Sequence, residues 1–322
     1  MHYRSLGRSG VEVSLLSFGT GGPTTFTESD LSDSEKARLL HCCLERGINL
    51  IDTSQGYGDS ELFLGNALAG FPRESYLLST KCAYSEWPGF DANTKEDGLP
   101  VDRDLLLEAV DRSLRRLCTD YIDIMFIHGL KPDDYDEIYD RHGATIERLK
   151  ESGKIRLIGF SERMGEDLEH RVTTNAITRH STFWDVVMLR YGIFNQCARD
   201  HALQLSVEKG VGVINMSPAR YLLPHPEQLA ERIASWKADG SLDADVVPTH
   251  NSLGWLLYGE VDSVVSAGLK FAADHPGVST VLTGTRSFDH LEANIRAMEN
   301  PFLPAVDQDR LIKLFSFARE WR

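Results

Sequence analysis

Eight short runs of apolar, largely β-branched residues punctuate this chain, and each is followed by a longer stretch with helical spacing. The runs are VSLLSFG (13–19), INLID (48–52), YLLSTK (76–81), YIDIMFIH (121–128), IRLIGFS (155–161), DVVMLRY (185–191), VGVINM (211–216) and VSTVLTG (278–284). In the intervening DLLLEAVDRSLRRLC, Leu106, Val110, Leu114 and Leu117 recur every three or four residues, as one buried helix face requires. Strands that are apolar along their length, each returned by a helix, make a parallel sheet covered on its outer face. Eight such units predict a closed (β/α)8 TIM barrel rather than an open doubly wound sheet, and 322 residues suit a single domain of this kind over 1–322.

Ahead of the first run, HYRSLGRSGVEV reads as a β-hairpin with Gly7 and Gly10 bracketing its turn, placed to cap one end of the barrel. Two connections are too long for plain turns: 82–102 after the third run and 217–261 after the seventh. Both leave the C-terminal ends of strands, where barrel active sites are built, and long loops in compact domains are usually functional. The acidic KPDDYDEIYD (131–140) reads as a solvated loop rather than a metal site.

Charge and composition exclude several classes. The net charge of −14 argues against nucleic acid, which needs a basic face. No apolar run approaches the roughly 18 residues of a membrane span, and MHYRSLGRSG lacks the apolar core of a secretory signal. Five scattered cysteines without C-x-x-C spacing predict reduced thiols in a cytoplasmic setting, with neither disulfides nor a zinc site.

The second, third and fourth runs end on Asp52, Lys81 and His128, and Tyr57 follows the second between two glycines. An aspartate ending a strand can simply cap a turn, and a histidine there can be a satisfied core residue. Four polar groups at matching ends of a barrel converge on one mouth, which favours chemistry. Tyrosine titrates near 10, too high for easy proton exchange at neutral pH; a neighbouring Lys81 ammonium should pull that value down. Asp52 would hold Lys81 charged. His128 would donate to a substrate carbonyl oxygen, with Tyr57 as general acid in reduction and general base in reverse.

D-T-S-x-x-Y-G-x-S-E (Asp52 to Glu61), together with S-T-K, F-I-H, L-G-R-S-G-x-x-V-S near the N-terminus, V-G-V-I-x-x-S-P at 211–218 and G-T-R-S at 284–287, resembles the aldo-keto reductase family over essentially the whole chain. The resemblance implies a barrel that binds a nicotinamide dinucleotide without a Rossmann domain, and it makes Asp52, Tyr57, Lys81 and His128 the catalytic tetrad. No G-x-G-x-x-G follows a strand; GTGGP (19–23) reads as a tight turn at the mouth, with Gly19 and Thr20 near the cofactor. The family's mode of binding implies that Ser217, Pro218, Ala219 and Arg220 lie by the pyrophosphate. It places Arg286 and Asn294 around the adenosine end, with Gly284 and His290 also among the cofactor contacts. Arg286 at a helix start suits a 2′-phosphate, so NADP(H) is favoured, with NAD(H) the alternative.

The chain also departs from the family pattern. Ser161 is followed by Glu162 where Asn is usual, Met188 replaces a glutamine, Met216 replaces a stacking aromatic, and His290 stands where a basic residue is common. R-Y-G-I-F-N-Q after the sixth run resembles the L-galactose and aldose dehydrogenase branch, which implies a sugar or small aldehyde substrate. Tyr57, His128 and Trp87 are the substrate-contact candidates; Trp184, Trp236 and Trp255 read as core. Two other classes compete. A non-catalytic nucleotide-sensing subunit would need the pocket but not the proton donor. A metallohydrolase would need several ligands at strand ends, and His225, His250 and His275 fall elsewhere.

Overall fold

The structure, a computed structural model, describes residues 1–21, 26, 29–83, 103–163 and 165–320. β1 (Tyr3–Ser5) and β2 (Glu12–Ser14) pair antiparallel as the N-terminal hairpin. The barrel strands are β3 (Leu16–Gly19), β4 (Leu50–Asp52), β5 (Leu77–Ala83), β6 (Ile122–Leu130), β7 (Ile155–Glu162), β8 (Val186–Leu189), β9 (Gly212–Met216) and β10 (Thr280–Thr283). They pair in parallel in chain order, and β10 closes on β3. Around them run α1 (Asp33–Glu45), α2 (Ser60–Ala67), α3 (Arg103–Arg116), α4 (Tyr135–Glu151), α5 (Arg171–His180), α6 (Gln204–Lys209), α7 (Pro226–Ala238), α8 (Val264–Asp274), α9 (Phe288–Glu299) and α10 (Ala305–Phe315). The predicted (β/α)8 barrel is the fold.

Period-two alternation sorts each strand into two cores. Leu50, Ile124, Phe126, Val186, Met188, Ile214 and Met216 face inward and form one buried cluster with Leu6 and Val13 of the hairpin. Their neighbours Ile51, Met125, Ile127, Val187, Leu189 and Val213 face outward into the larger core shared with the helices. The inward set therefore continues upward to Asp52 on β4, Lys81 on β5 and His128 on β6. That is why these three runs end on polar groups: inward positions near the C-terminal ends of the strands reach the mouth.

Two expectations need correction. The first run does not make one strand. Residues 12–14 turn away to pair with β1, and the barrel strand begins at Leu16. The acidic stretch 131–140 is not a loop but a short 3-10 turn (Pro132–Asp134) and the first turns of α4, where Tyr135 and Ile138 are buried. Its carboxylates occupy the outer face, and Asp133, Asp134, Asp136 and Glu137 sit where a helix N-terminus favours negative charge. The connection 217–261 contains α7, whereas most of 82–102, Trp87 included, lies outside the described residues.

Candidate active site

The three strand-end groups come together in the order the alternation dictates. Lys81, 1 % exposed, donates from Nζ to Asp52 Oδ2 at 2.6 Å and to the Thr53 carbonyl at 2.7 Å. Nζ also lies 5.2 Å from the centre of the Tyr57 ring. Asp52 accepts a further bond on Oδ1 from Ser79 Oγ at 2.7 Å. Burial alone would lower the Lys81 pKa; the Asp52 charge, the tyrosine and their hydrogen bonds outweigh it, so the ammonium is held above its ordinary value.

Tyr57 sits on the turn between β4 and α2, its amide donating to the Ser54 carbonyl at 3.1 Å. Its ring meets His128 edge to face, with centroids 5.9 Å apart, and lies on the bare backbone of Gly21, where any side chain would collide with it. The phenol pKa is raised, not lowered as its neighbour suggested. Burial dominates, and the pull of Lys81 offsets only part of it. Tyr57 therefore holds its proton at neutral pH. His128, 8 % exposed, is pushed well below its ordinary value by burial and by the positive charges of Lys81 and Arg163, which makes it a neutral imidazole.

The four residues line a cleft of about 900 Å³. Met188, Met216 and Leu282 of the barrel strands also line it, with Ser217, Pro218, Ala219 and Arg220 after β9 and Asp262, Ser263, Gly284, His290 and Asn294 further along the chain. Gly19 and Ser161 also reach its wall. Two anticipated residues stand apart. Thr20 is fully buried, its hydroxyl donating to the Asp52 carbonyl and accepting from Ser60, and Arg286 is exposed outside the wall, in the turn that leads to the α9 cap Ser287. Ser217 and Tyr221 both adopt positive φ, at 60° and 71°, in the turn after β9 that lines the cleft. Ser161 Oγ accepts the Gly129 amide at 2.8 Å. Glu162 turns its carboxylate onto α5, to His170 Nδ1 at 2.6 Å and Thr173 Oγ1 at 2.5 Å. No group of side chains able to hold a metal ion occurs among the described residues.

Sequence reasoning passed over Ser54, Ser79, Gly21, Asp262 and Tyr221. The D-T-S spacing could have flagged Ser54; Asp262 and Tyr221 lie in the long connection, where no periodicity marks a residue.

The family model for the aldo/keto reductase family matches residues 15–311. The chain belongs to the aldo/keto reductase family. Among curated proteins it is 28 % identical to an L-galactose dehydrogenase of Arabidopsis thaliana, over 96 % of this chain and 91 % of that one. It is 27 % identical to a probable voltage-gated potassium channel subunit beta of the same plant, over 97 % and 95 %. Among solved structures, the holo form of an aldo-keto reductase from Bacillus halodurans superimposes with a TM-score of 0.71 at 28 % identity, covering 98 % of this chain and 96 % of that one. Membership makes this aldo-keto reductase a family oxidoreductase of the type that uses NAD(P)H and acts on small carbonyl compounds. No helix among the described residues is long and apolar enough to cross a membrane.

Proposed function

We propose that this aldo-keto reductase interconverts a carbonyl compound, a sugar or small aldehyde, and its alcohol, with Tyr57 as the acid/base group. The observation that carries the reading is the Asp52–Lys81–Tyr57 relay beside His128 in one cleft. The Lys81 ammonium, held by Asp52, lies against the Tyr57 ring, where it favours negative charge on the phenol oxygen. Burial keeps the phenol proton in place, the form that carbonyl reduction needs. As Tyr57 gives it up, the fixed Lys81 charge stabilises the phenolate without any rearrangement. Neutral His128 is positioned to donate to the carbonyl oxygen and orient it. The sugar assignment rests on the likeness to L-galactose dehydrogenase.

The cleft fits a dinucleotide. Its size matches the upper range of cofactor pockets, its methionines offer soft apolar contact for a ring, and Arg220 supplies a cation in its lining. Ser217 to Arg220 would hold the pyrophosphate, Met188 and Met216 would pack under the nicotinamide, and His290 and Asn294 would meet the adenosine. When bound, the nicotinamide supplies or takes up the hydride. Ser161 and Glu162, the latter held by α5, both line the cleft where the carboxamide would sit. At the adenosine end NADP(H) requires Arg286 to reach over the rim, whereas NAD(H) requires only an acceptor for a ribose hydroxyl, which Asp262 supplies.

Tyr57→Phe tests the assignment. Turnover should fall by about 10²–10⁴-fold with cofactor affinity nearly unchanged. Equal turnover in the variant would remove Tyr57 from the chemistry. A wild-type protein that binds cofactor tightly yet turns over no carbonyl compound would support the sensing role that the likeness to a channel subunit beta suggests.

A further inference from the structure

Ser54 lies between the two groups that face the carbonyl and touches both. It is fully buried, and its carbonyl accepts the Tyr57 amide at 3.1 Å, closing the turn that presents the phenol. Its hydroxyl oxygen accepts the Gly56 amide at 3.2 Å, so the lone pair on that side is engaged. The same oxygen lies 3.2 Å from His128 Nδ1. A serine hydroxyl has one proton, and the ring nitrogen is where it can go.

We propose that Ser54 is a positioning residue that fixes the tautomer of His128. A neutral imidazole carries a single N–H, and the partner on one nitrogen decides which nitrogen bears it. With the Ser54 hydroxyl donating to Nδ1, the proton resides on Nε2, and Nε2–H is the donor that His128 turns to the substrate oxygen. The opposite tautomer would present a lone pair to that oxygen, which is repulsive. One residue thus sets both the turn that carries the acid, through its carbonyl, and the proton that orients the carbonyl of the substrate, through its hydroxyl. The catalytic consequence rests on the proposed function; the tautomer does not.

The test is long-range proton–nitrogen NMR on the ¹⁵N-histidine-labelled full chain, with kinetics alongside. In wild type His128 should show an unprotonated Nδ1 and a protonated Nε2. Ser54→Ala should give a mixture of tautomers and a kcat about three- to tenfold lower, the worth of one neutral hydrogen bond. Ser54→Thr, which keeps the hydroxyl, should restore both. A protonated Nδ1 in wild type overturns the proposal, and this reading stands even if Ser54→Ala fails to fold. An unchanged tautomer in Ser54→Ala overturns it as well. Correct tautomers in a protein that reduces no carbonyl would uphold the Ser54 assignment and defeat the proposed function instead.

Discussion

At the residue scale, Glu162 shows how a departure from the family pattern is absorbed. Its carboxylate is buried, a costly arrangement for a charge unless it is paired and hydrogen-bonded. His170 and Thr173 supply both partners. For His170, burial lowers the pKa, but the Glu162 charge, the hydrogen bond and Asp167 outweigh it, so the net shift is upward from 6.5. A raised histidine pKa means that the folded state holds the proton more tightly than the unfolded chain. The resulting stability is fully present below the unfolded value near 6.5 and is lost as pH rises through the folded value. His170→Gln should therefore destabilise the protein by about 1–3 kcal/mol at pH 6, and by less at pH 9. Denaturant unfolding at the two pH values reads the gap. A gap independent of pH would mean that the pair is an ordinary neutral hydrogen bond. Nothing in the sequence announces this pair, because the two residues meet only once β7 has turned into α5. Asp52, Lys81 and His128 were legible for the opposite reason: each interrupts an apolar run at its last residue, and that break needs no knowledge of partners. The Tyr57 shift escaped because its sign depends on how deeply the phenol is surrounded, and spacing carries no measure of that.

At the element scale, the alternation of runs and helical segments was enough to read the barrel, since each βα unit is a local pattern. The element boundaries were not fixed so well. The first run looked continuous because Val13, Leu15 and Leu16 are all buried, yet Val13 belongs to the hairpin and joins the lumen from below. The helical start of α4 hid under its carboxylates. Tyr135, Ile138, His142, Ile146 and Leu149 are spaced as a buried helix face, but the charges beside the first two mask the period. The hairpin cap makes its own prediction. Leu6 inserts into the lumen against Gly212, where a Cβ would come within 2.7 Å of it, and Gly7 beside it holds φ at 58° against the Gly210 carbonyl. Leu6→Ala should cost about 2–5 kcal/mol as an unfilled space at the barrel floor. Gly7→Ala should also destabilise, through backbone strain and collision. Thermal unfolding of the two variants checks this. A Leu6→Ala protein with an unchanged Tm would show that the hairpin merely rests on the barrel.

At the scale of the whole molecule, the cleft exists only when the barrel is closed, because its lining runs from Gly19 on β3 round to Leu282 on β10. A ligand that binds the cleft therefore stabilises the entire fold, by about 2.7 kcal/mol when present at 100 times its Kd. The chain carries a net charge of −14, and NADP(H) brings a further −1.5 to −2 or so in its 2′-phosphate. The long-range field thus opposes the more charged cofactor, and only a local cation can reverse that preference. Arg286 is the cation that the sequence offers at the α9 start; Asp262, paired with Arg296 at 3.6 Å, is one carboxylate of the wall. Melting curves with NADPH and with NADH, each for wild type and Arg286→Ala, separate the two. If Arg286 folds over the rim onto the 2′-phosphate, the variant loses most of the NADPH-induced rise in Tm and keeps the NADH-induced rise. The loss should shrink at high salt, since an exposed arginine acts across solvent. If both rises survive the substitution, Arg286 stays outside the cleft in the filled protein as it does here, and the wall of Asp262 and His290 makes NAD(H) the cofactor this acidic barrel accepts more readily.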